Sequence, residues 1–157
     1  MSEVRSSPQP LLDRLQATLC AMPPVAAMGI RLDGYGDGRL RLHAPLAANV
    51  NDKGNAFGGS LASVMTLAGW ALVTLRLQLA GFDAEVYVAD SHIRYRAPVY
   101  DDLQASAGAL EDADWETFLA TFSRRGRARI GVGAWLGGEA GAAAAELDGR
   151  FVAIAKG

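Results

Sequence analysis

The chain has 157 residues, half of them hydrophobic, which is enough for a globular domain with its own core and excludes low-complexity disorder. Fifteen Lys and Arg against seventeen Asp and Glu leave a formal charge of −2, so no strong field favours wholesale nucleic-acid binding. One cysteine, Cys20, and two histidines, His43 and His92, exclude a disulfide framework and a multi-cysteine or histidine-rich metal site.

Residues 1–10, MSEVRSSPQP, are polar and proline-containing, without the basic start and apolar run of a targeting segment. Residues 1–9 are expected to form a flexible tail, residues 10–157 a single domain, and the protein to be cytoplasmic. Leu11, Leu12, Leu15, Leu19 and Met22 recur at helical spacing and predict a helix over Pro10–Met22. Ser7 can cap it, and Pro23-Pro24 ends it. Cys20 on this helix reads as packing. Ile30 and Leu32, a GYGDG turn at 34–38, then Leu40 and Leu42 predict a hairpin. An irregular stretch, 44–56, follows.

From Phe57 to Leu75 the chain carries no charge, close to the ~20 residues that span a bilayer. Its Gly, Ser and Thr content and the amphipathic strands around it favour the core helix of a soluble domain, predicted over Gly58–Leu79 and closed by Gly81. Strands are predicted over 85–97, 103–110, 115–123, 129–136 and 146–155. In the first of these, Tyr87, Ala89, Ser91, Ile93 and Tyr95 are taken as the inward face. An apolar helix followed by antiparallel strands suggests an α+β fold, a sheet wrapped around that helix.

The segment that carries chemistry is Asn49–Thr66, NVNDKGNAFGGSLASVMT. Gly58-Gly59-Ser60 opens a helix after a polar loop. The first helical turn has amide donors without partners, and the dipole adds partial positive charge. Such an end suits an anionic oxygen, including the oxyanion of an acyl-transfer intermediate. On spacing alone, a Gly-Gly pair before a helix is equally a plain turn.

The run Asn51-x-x-Gly54-x-x-Phe57-Gly58-Gly59-Ser60 resembles the active-site loop of hotdog-fold acyl thioesterases, many of which carry Asn-x-x-Gly-x-x-His-Gly-Gly. Together with LAGW at 67–70, IRYRAPV at 93–99 and APL at 44–46, it is most similar to the YiiD C-terminal-like thioesterase family. The resemblance spans roughly Met28 to the C-terminus. It implies a hotdog fold, an antiparallel sheet around the 58–79 helix. It implies hydrolysis of an acyl-CoA or acyl carrier protein thioester, with no metal and no cofactor beyond coenzyme A in the substrate. It also implies a homodimer paired through the 85–97 strand, or a dimer of dimers, with the thioester at the subunit interface. Neither nucleic acid nor membrane is an expected partner. The carbonyl would sit on the amides of Gly58 and Gly59, with Asn51 beside it.

One departure matters. In the phenylacetate-degradation branch of that fold, a carboxylate stands on the helix nine residues after the histidine position. Nine residues after Phe57 comes Thr66. A threonine is no strong base near neutral pH but can hold a water. Either Thr66 works with Asn51 through water, or another residue is the base, or catalysis is slow.

The expected catalytic residues are therefore Asn51, Gly59 and Thr66. Expected substrate contacts are Phe57, Gly58, Ser60, Ser91, Arg125 and Arg127. Each has a plainer reading: Asn51 as a turn former, Thr66 as a helix threonine bonded back to its own turn, Ser60 as a helix cap, Phe57 as core. Arg124, Arg125, Arg127 and Arg129 read either as a solvated hairpin tip or as a clamp for coenzyme A phosphates. Asp90 shares its face with His92, Arg94 and Arg96 and reads as an ion-pair residue; Asp52 reads as a solvated loop acid. His43 and His92 read as surface strand residues. Two rival functions remain: a non-catalytic acyl-CoA sensing module, and a hotdog dehydratase, for which Phe57 lacks the imidazole.

Overall fold

The computed structural model describes residues 7–137 and 142–157. The first six residues of the expected tail lie outside the described residues, whereas Gln9 already opens a helix. The elements are α1 (Gln9–Ala21), α2 (Pro23–Met28), β1 (Arg31–Gly36), β2 (Arg39–Ala44), α3 (Gly58–Leu79), β3 (Ala84–Tyr95), β4 (Leu103–Ala109), α4 (Trp115–Arg125), β5 (Arg127–Leu136) and β6 (Ala145–Ala155).

The six strands make one sheet in the order β1-β2-β4-β5-β6-β3, every neighbouring pair antiparallel. One face of the sheet wraps around α3. Leu40 and Leu42 of β2, Ala105 and Ala107 of β4, Val132 and Leu136 of β5, and Leu147 and Phe151 of β6 are buried there with Val64, Met65, Ala68 and Leu72 of α3. This is the hotdog arrangement. Helix α3 is long and apolar enough to cross a membrane, yet most of it is buried inside the sheet. Gly69 sets how closely helix and sheet approach, since a Cβ there would lie 2.6 Å from the Phe151 ring.

Helix α1 covers one end of α3 through Leu12, Leu15 and Leu19. Ser7 Oγ accepts from the Gln9 amide at 3.3 Å, next to the true N-cap, Pro8. Cys20 is exposed rather than packed, and Gln16 Nε2 donates to its Sγ. Pro23-Pro24 ends α1 but also starts α2, because proline is tolerated in a first helical turn, where no amide partner is needed. The β1–β2 turn narrows to Asp37 and Gly38, both at positive φ, which matches strand twist.

Two expectations are corrected. The predicted strand over 115–123 is helix α4. Asp114 caps it, accepting from the Glu116 amide at 3.0 Å and the Thr117 hydroxyl at 2.7 Å. Gly126 closes it in the left-handed region. Trp115, Phe118, Leu119 and Phe122 fall at helical spacing, and Phe118 and Phe122 are buried. The basic cluster is therefore no hairpin tip: Arg124 and Arg125 end α4, while Arg127 and Arg129 begin β5.

The inward face of β3 is the second correction. A bulge at Ala89 shifts the register, with Val88 opposite Phe151 but Asp90 opposite Arg150. Val86 and Val88 therefore share the helix side with Ser91, Ile93 and Tyr95, and Tyr87 turns to the outer side. β3 is also a free edge of the sheet.

Candidate active site

The loop before α3 is built from asparagines. Asn49 is only 3 % exposed, and its Nδ2 donates to the carbonyls of Met28 and Pro45, each at 2.8 Å. Its own carbonyl accepts from the Phe57 amide at 2.7 Å, fixing where the helix begins. Asn51 Oδ1 accepts from the amides of Lys53 and Asn55, and its Nδ2 donates to Asn55 Oδ1 at 2.7 Å and the Ala56 carbonyl at 3.4 Å. The Asn51 side chain thus closes its own loop, and only the long bond to Ala56 is weak enough to be exchanged. Gly54 takes the positive φ, +83°, that this turn requires.

Helix α3 starts without a side-chain cap. Phe57 occupies the N-cap position, and its carbonyl accepts from the amides of Ser60 and Leu61. Ser60 is not a cap: it lies in the first turn, 5 % exposed, away from the surface. The amides of Gly58 and Gly59 have no acceptor among the described residues. They form the free positive end of a 22-residue helix. Phe57 is 57 % exposed rather than core, and its ring folds over Gly59.

Sequence reasoning put Tyr95 on the inward face of β3 but did not assign it to the site. Its ring stands 3.9 Å from where a Gly58 Cβ would be, and its hydroxyl donates to the Gly58 carbonyl at 3.4 Å. The signal was the alternation along β3, unbroken from Ser91 to Tyr95, which puts Tyr95 on the inward face. Ser91 lies on the same side, exposed along the free edge.

Thr66 is half-buried, on a stripe of α3 with Ala62, Ser63, Leu67 and Trp70. Ser63 Oγ donates back to the Gly59 carbonyl at 2.8 Å. The Thr66 hydroxyl makes no such bond and has no partner among the described residues. Trp70 crosses from this stripe to β3, its Nε1 donating to the Val86 carbonyl at 2.9 Å.

The nearby carboxylates are committed elsewhere. Asp90 takes a bidentate grip from Arg150 on the outer face, which holds its carboxyl below the usual carboxylate range. Asp52 pairs with Lys53 in solvent. His43 is not a plain surface residue: it is mostly covered, and its Nε2 meets Asp102 at 3.2 Å. Asp102 also accepts from the Leu46 amide, and that bond first, then His43, pulls its carboxyl down. Arg125 and Arg127 are exposed and are not brought beside Gly58 within one chain. Arg127 connects through Ile154 to Glu85, at the opposite end of β3 from Tyr95.

The model of the family described as "Putative thioesterase (yiiD_Cterm)" matches residues 12–155. The chain belongs to this YiiD_C thioesterase family. A Shewanella oneidensis protein described as a putative thioesterase is 33 % identical, with a TM-score of 0.81 over 93 % of this chain and 99 % of that one. A Chlorobaculum tepidum protein of unknown function is 27 % identical, with a TM-score of 0.88 over 98 % of this chain and all of that one. A thioesterase family protein from Silicibacter pomeroyi, at 16 % identity and a TM-score of 0.67, covers 92 % of this chain and 98 % of its own; it shares the fold. This YiiD_C chain therefore has the thioesterase hotdog together with an open helix terminus. At position 66 it carries a hydroxyl and no carboxylate.

Proposed function

We propose that this YiiD_C protein hydrolyses the thioester of an acyl-CoA or acyl carrier protein. The observation that carries the reading is the pair of unoccupied amides at Gly58 and Gly59, with the unpartnered Thr66 hydroxyl further along the same open stripe. The thioester carbonyl rests on the two amides. A water adds to the carbonyl carbon, and the oxygen takes the negative charge against the helix terminus. The C–S bond then breaks, and the thiol leaves with a proton while the acid remains. Only water is consumed. Thioesters are activated, so positioning and oxyanion stabilisation supply much of the rate.

Seven residues of helix separate Gly59 from Thr66, a rise of about 10 Å. Both groups cannot reach one carbonyl within a single chain. Pairing of two β3 edges into a continuous antiparallel sheet sets two α3 helices side by side in opposite directions. Gly59 of one protomer then faces the partner's Thr66, which orients the water. The exposed Val88 and Tyr95 along this edge support that homodimer. In it, the partner's Arg125 and Arg127 come toward the mouth of the site and suit the phosphates of coenzyme A.

The absence of a carboxylate at position 66 favours one second reading, an acyl-CoA binding module without turnover. Free-thiol release from acyl-CoAs, acetyl to palmitoyl and phenylacetyl, separates the two. Turnover on one length class, lost in Thr66→Ala, supports the hydrolase. Thermal stabilisation by acyl-CoA without thiol release supports the module. Neither response, with acyl carrier protein substrates tested as well, overturns both.

A further inference from the structure

Each free amide at the start of α3 belongs to a peptide unit that also carries a carbonyl. In a planar trans peptide the two groups are conjugated and point in opposite directions, so a hydrogen bond received by the oxygen strengthens the N–H as a donor. The Gly58 amide shares its unit with the Phe57 carbonyl, which accepts from the amides of Ser60 at 2.9 Å and Leu61 at 3.1 Å. That unit is held by backbone alone. The Gly59 amide shares its unit with the Gly58 carbonyl, to which the Tyr95 hydroxyl donates at 3.4 Å. Among the described residues, Tyr95 is the one side chain that bonds either unit.

The strand places that hydroxyl. Tyr95 ends β3 opposite Ala145, and the next two amides, of Arg96 and Ala97, donate to the Ala144 carbonyl at 2.8 Å and 3.1 Å. Its backbone is therefore pinned to β6, and the ring rests against the first turn of α3 at an ordinary contact distance from Gly58. The hydrogen bond itself is long, since a hydroxyl usually sits within about 3.0 Å of its acceptor. The side chain is also 55 % exposed, so water competes for the hydroxyl. Both facts weaken the bond in the resting chain. The balance changes when negative charge forms on a carbonyl oxygen held by the Gly59 amide. The peptide unit polarises, the Gly58 oxygen becomes more negative, and the hydroxyl is drawn in. An interaction that tightens only then stabilises the transition state above the bound substrate, so it acts on kcat and not on KM.

We infer that Tyr95 is a positioning residue that strengthens the Gly59 amide as an oxyanion donor, acting through the Gly58–Gly59 peptide unit. The inference rests on the thioester-hydrolysis reading above. It adds one side chain from the β3 edge to a helix end otherwise made of backbone. Losing a whole donor of an oxyanion site costs about 10²–10³ in kcat, and one hydrogen bond strengthens the next by about 10–30 %, so loss of the hydroxyl is expected to lower kcat about two- to eightfold.

The test is thiol release from the thioester that the unaltered chain turns over fastest. Tyr95→Phe keeps the ring against Gly58 and removes only the hydroxyl. It is expected to lower kcat by that factor, with KM and unfolding temperature unchanged. Placing ortho-fluorotyrosine at position 95 makes the hydroxyl a stronger donor, on a ring exposed enough to take the fluorine, and is expected to raise kcat above that of the unaltered chain. A tyrosine that only packs would not follow donor strength in this way. An unchanged kcat in Tyr95→Phe overturns the assignment. So does a slower Tyr95→Phe when the fluorotyrosine chain is no faster than the unaltered one. A raised KM in Tyr95→Phe overturns it too, because the hydroxyl would then touch the substrate itself. In all three cases the unaltered chain still releases thiol, and the hydrolase reading stands. No thiol release by the unaltered chain, from acyl-CoA or acyl carrier protein thioesters, overturns that reading and the assignment of Tyr95 with it.

Discussion

The ring of Phe57 fills the space in which a side chain at position 59 would begin: a Cβ on Gly59 would lie 2.5 Å from the Phe57 Cε1. A side chain at position 59 thus meets the ring of its own neighbour before any ligand is considered. That gives position 59 two duties, since its amide is also one of the two free donors at the helix terminus.

Replacing Gly59 by alanine forces the Phe57 ring outward, across the mouth of the helix end. Alanine favours the helix itself by about 1 kcal/mol, so unfolding temperature is expected to hold or rise. Thiol release is expected to fall about tenfold or more, because the carbonyl no longer seats squarely on the amides. Adding Phe57→Ala to Gly59→Ala removes the clash and keeps both amides, so activity should recover in the double variant. A double variant as slow as Gly59→Ala would show that the ring is not the cause.

Thr66 and Asn51 separate site chemistry from loop architecture. The Thr66 hydroxyl has no partner to lose, so Thr66→Ala should leave thermal stability nearly unchanged while lowering kcat, and Thr66→Ser should restore it. The Asn51 side chain makes four hydrogen bonds within its loop. Asn51→Ala should therefore lower the unfolding temperature and raise KM, as Gly58 and Gly59 lose their fixed position. Equal kcat in Thr66→Ala and the unaltered protein would remove Thr66 from the chemistry.

Much of this was legible in the chain. The central helix ends where its apolar run ends, at Leu79, and Gly81 follows at positive φ. The loop motif located the helix terminus. Two features were not read correctly. Residues 115–123 read as a strand, but the Asp114 cap and the closing Gly126 are the local signals that decide for helix. The Ala89 bulge leaves no mark in a period-two pattern, yet it turns Tyr87 to the outer face while Ser91, Ile93 and Tyr95 keep the inward one.

Acid stability should report the same cap. The Thr117 hydroxyl, then the Glu116 amide, hold the Asp114 carboxyl below its ordinary value; Asp90 and Asp102 are lowered by Arg150 and by the Leu46 amide. A carboxyl depressed in the folded state contributes stability that is complete above its unfolded pKa, about 3.9, and is lost as pH falls through the lower folded value. The unfolding temperature should therefore hold from pH 7 to about 5 and fall toward pH 3. Asparagine caps a helix about as well as aspartate but does not titrate. Asp114→Asn should match the unaltered chain at pH 7 and lose less between pH 5 and 3. Parallel curves for the two would show that Asp114 carries none of the acid sensitivity.

The arginines test the dimer and the substrate together. Tyr95, beside Gly58, and Glu85, level with Arg127, lie ten residues apart on β3, about 33 Å at strand spacing. In the proposed dimer, antiparallel pairing of two β3 edges would bring those opposite ends together, so that the arginines of one protomer would serve the site of its partner. Neither Arg125 nor Arg127 has an ion-pair partner among the described residues, so reversing them should leave unfolding temperature nearly unchanged. Arg125→Glu/Arg127→Glu should raise KM for acyl-CoA at low salt and keep kcat, because the phosphates lie far from the reacting carbon. At about 1 M salt, where charges are screened beyond ~3 Å, the two KM values should converge. An acyl-pantetheine substrate, which lacks the nucleotide phosphates, should show no difference at any salt concentration. A KM increase that persists at high salt or appears with acyl-pantetheine would assign the loss to a disturbed α4–β5 junction and not to phosphate binding.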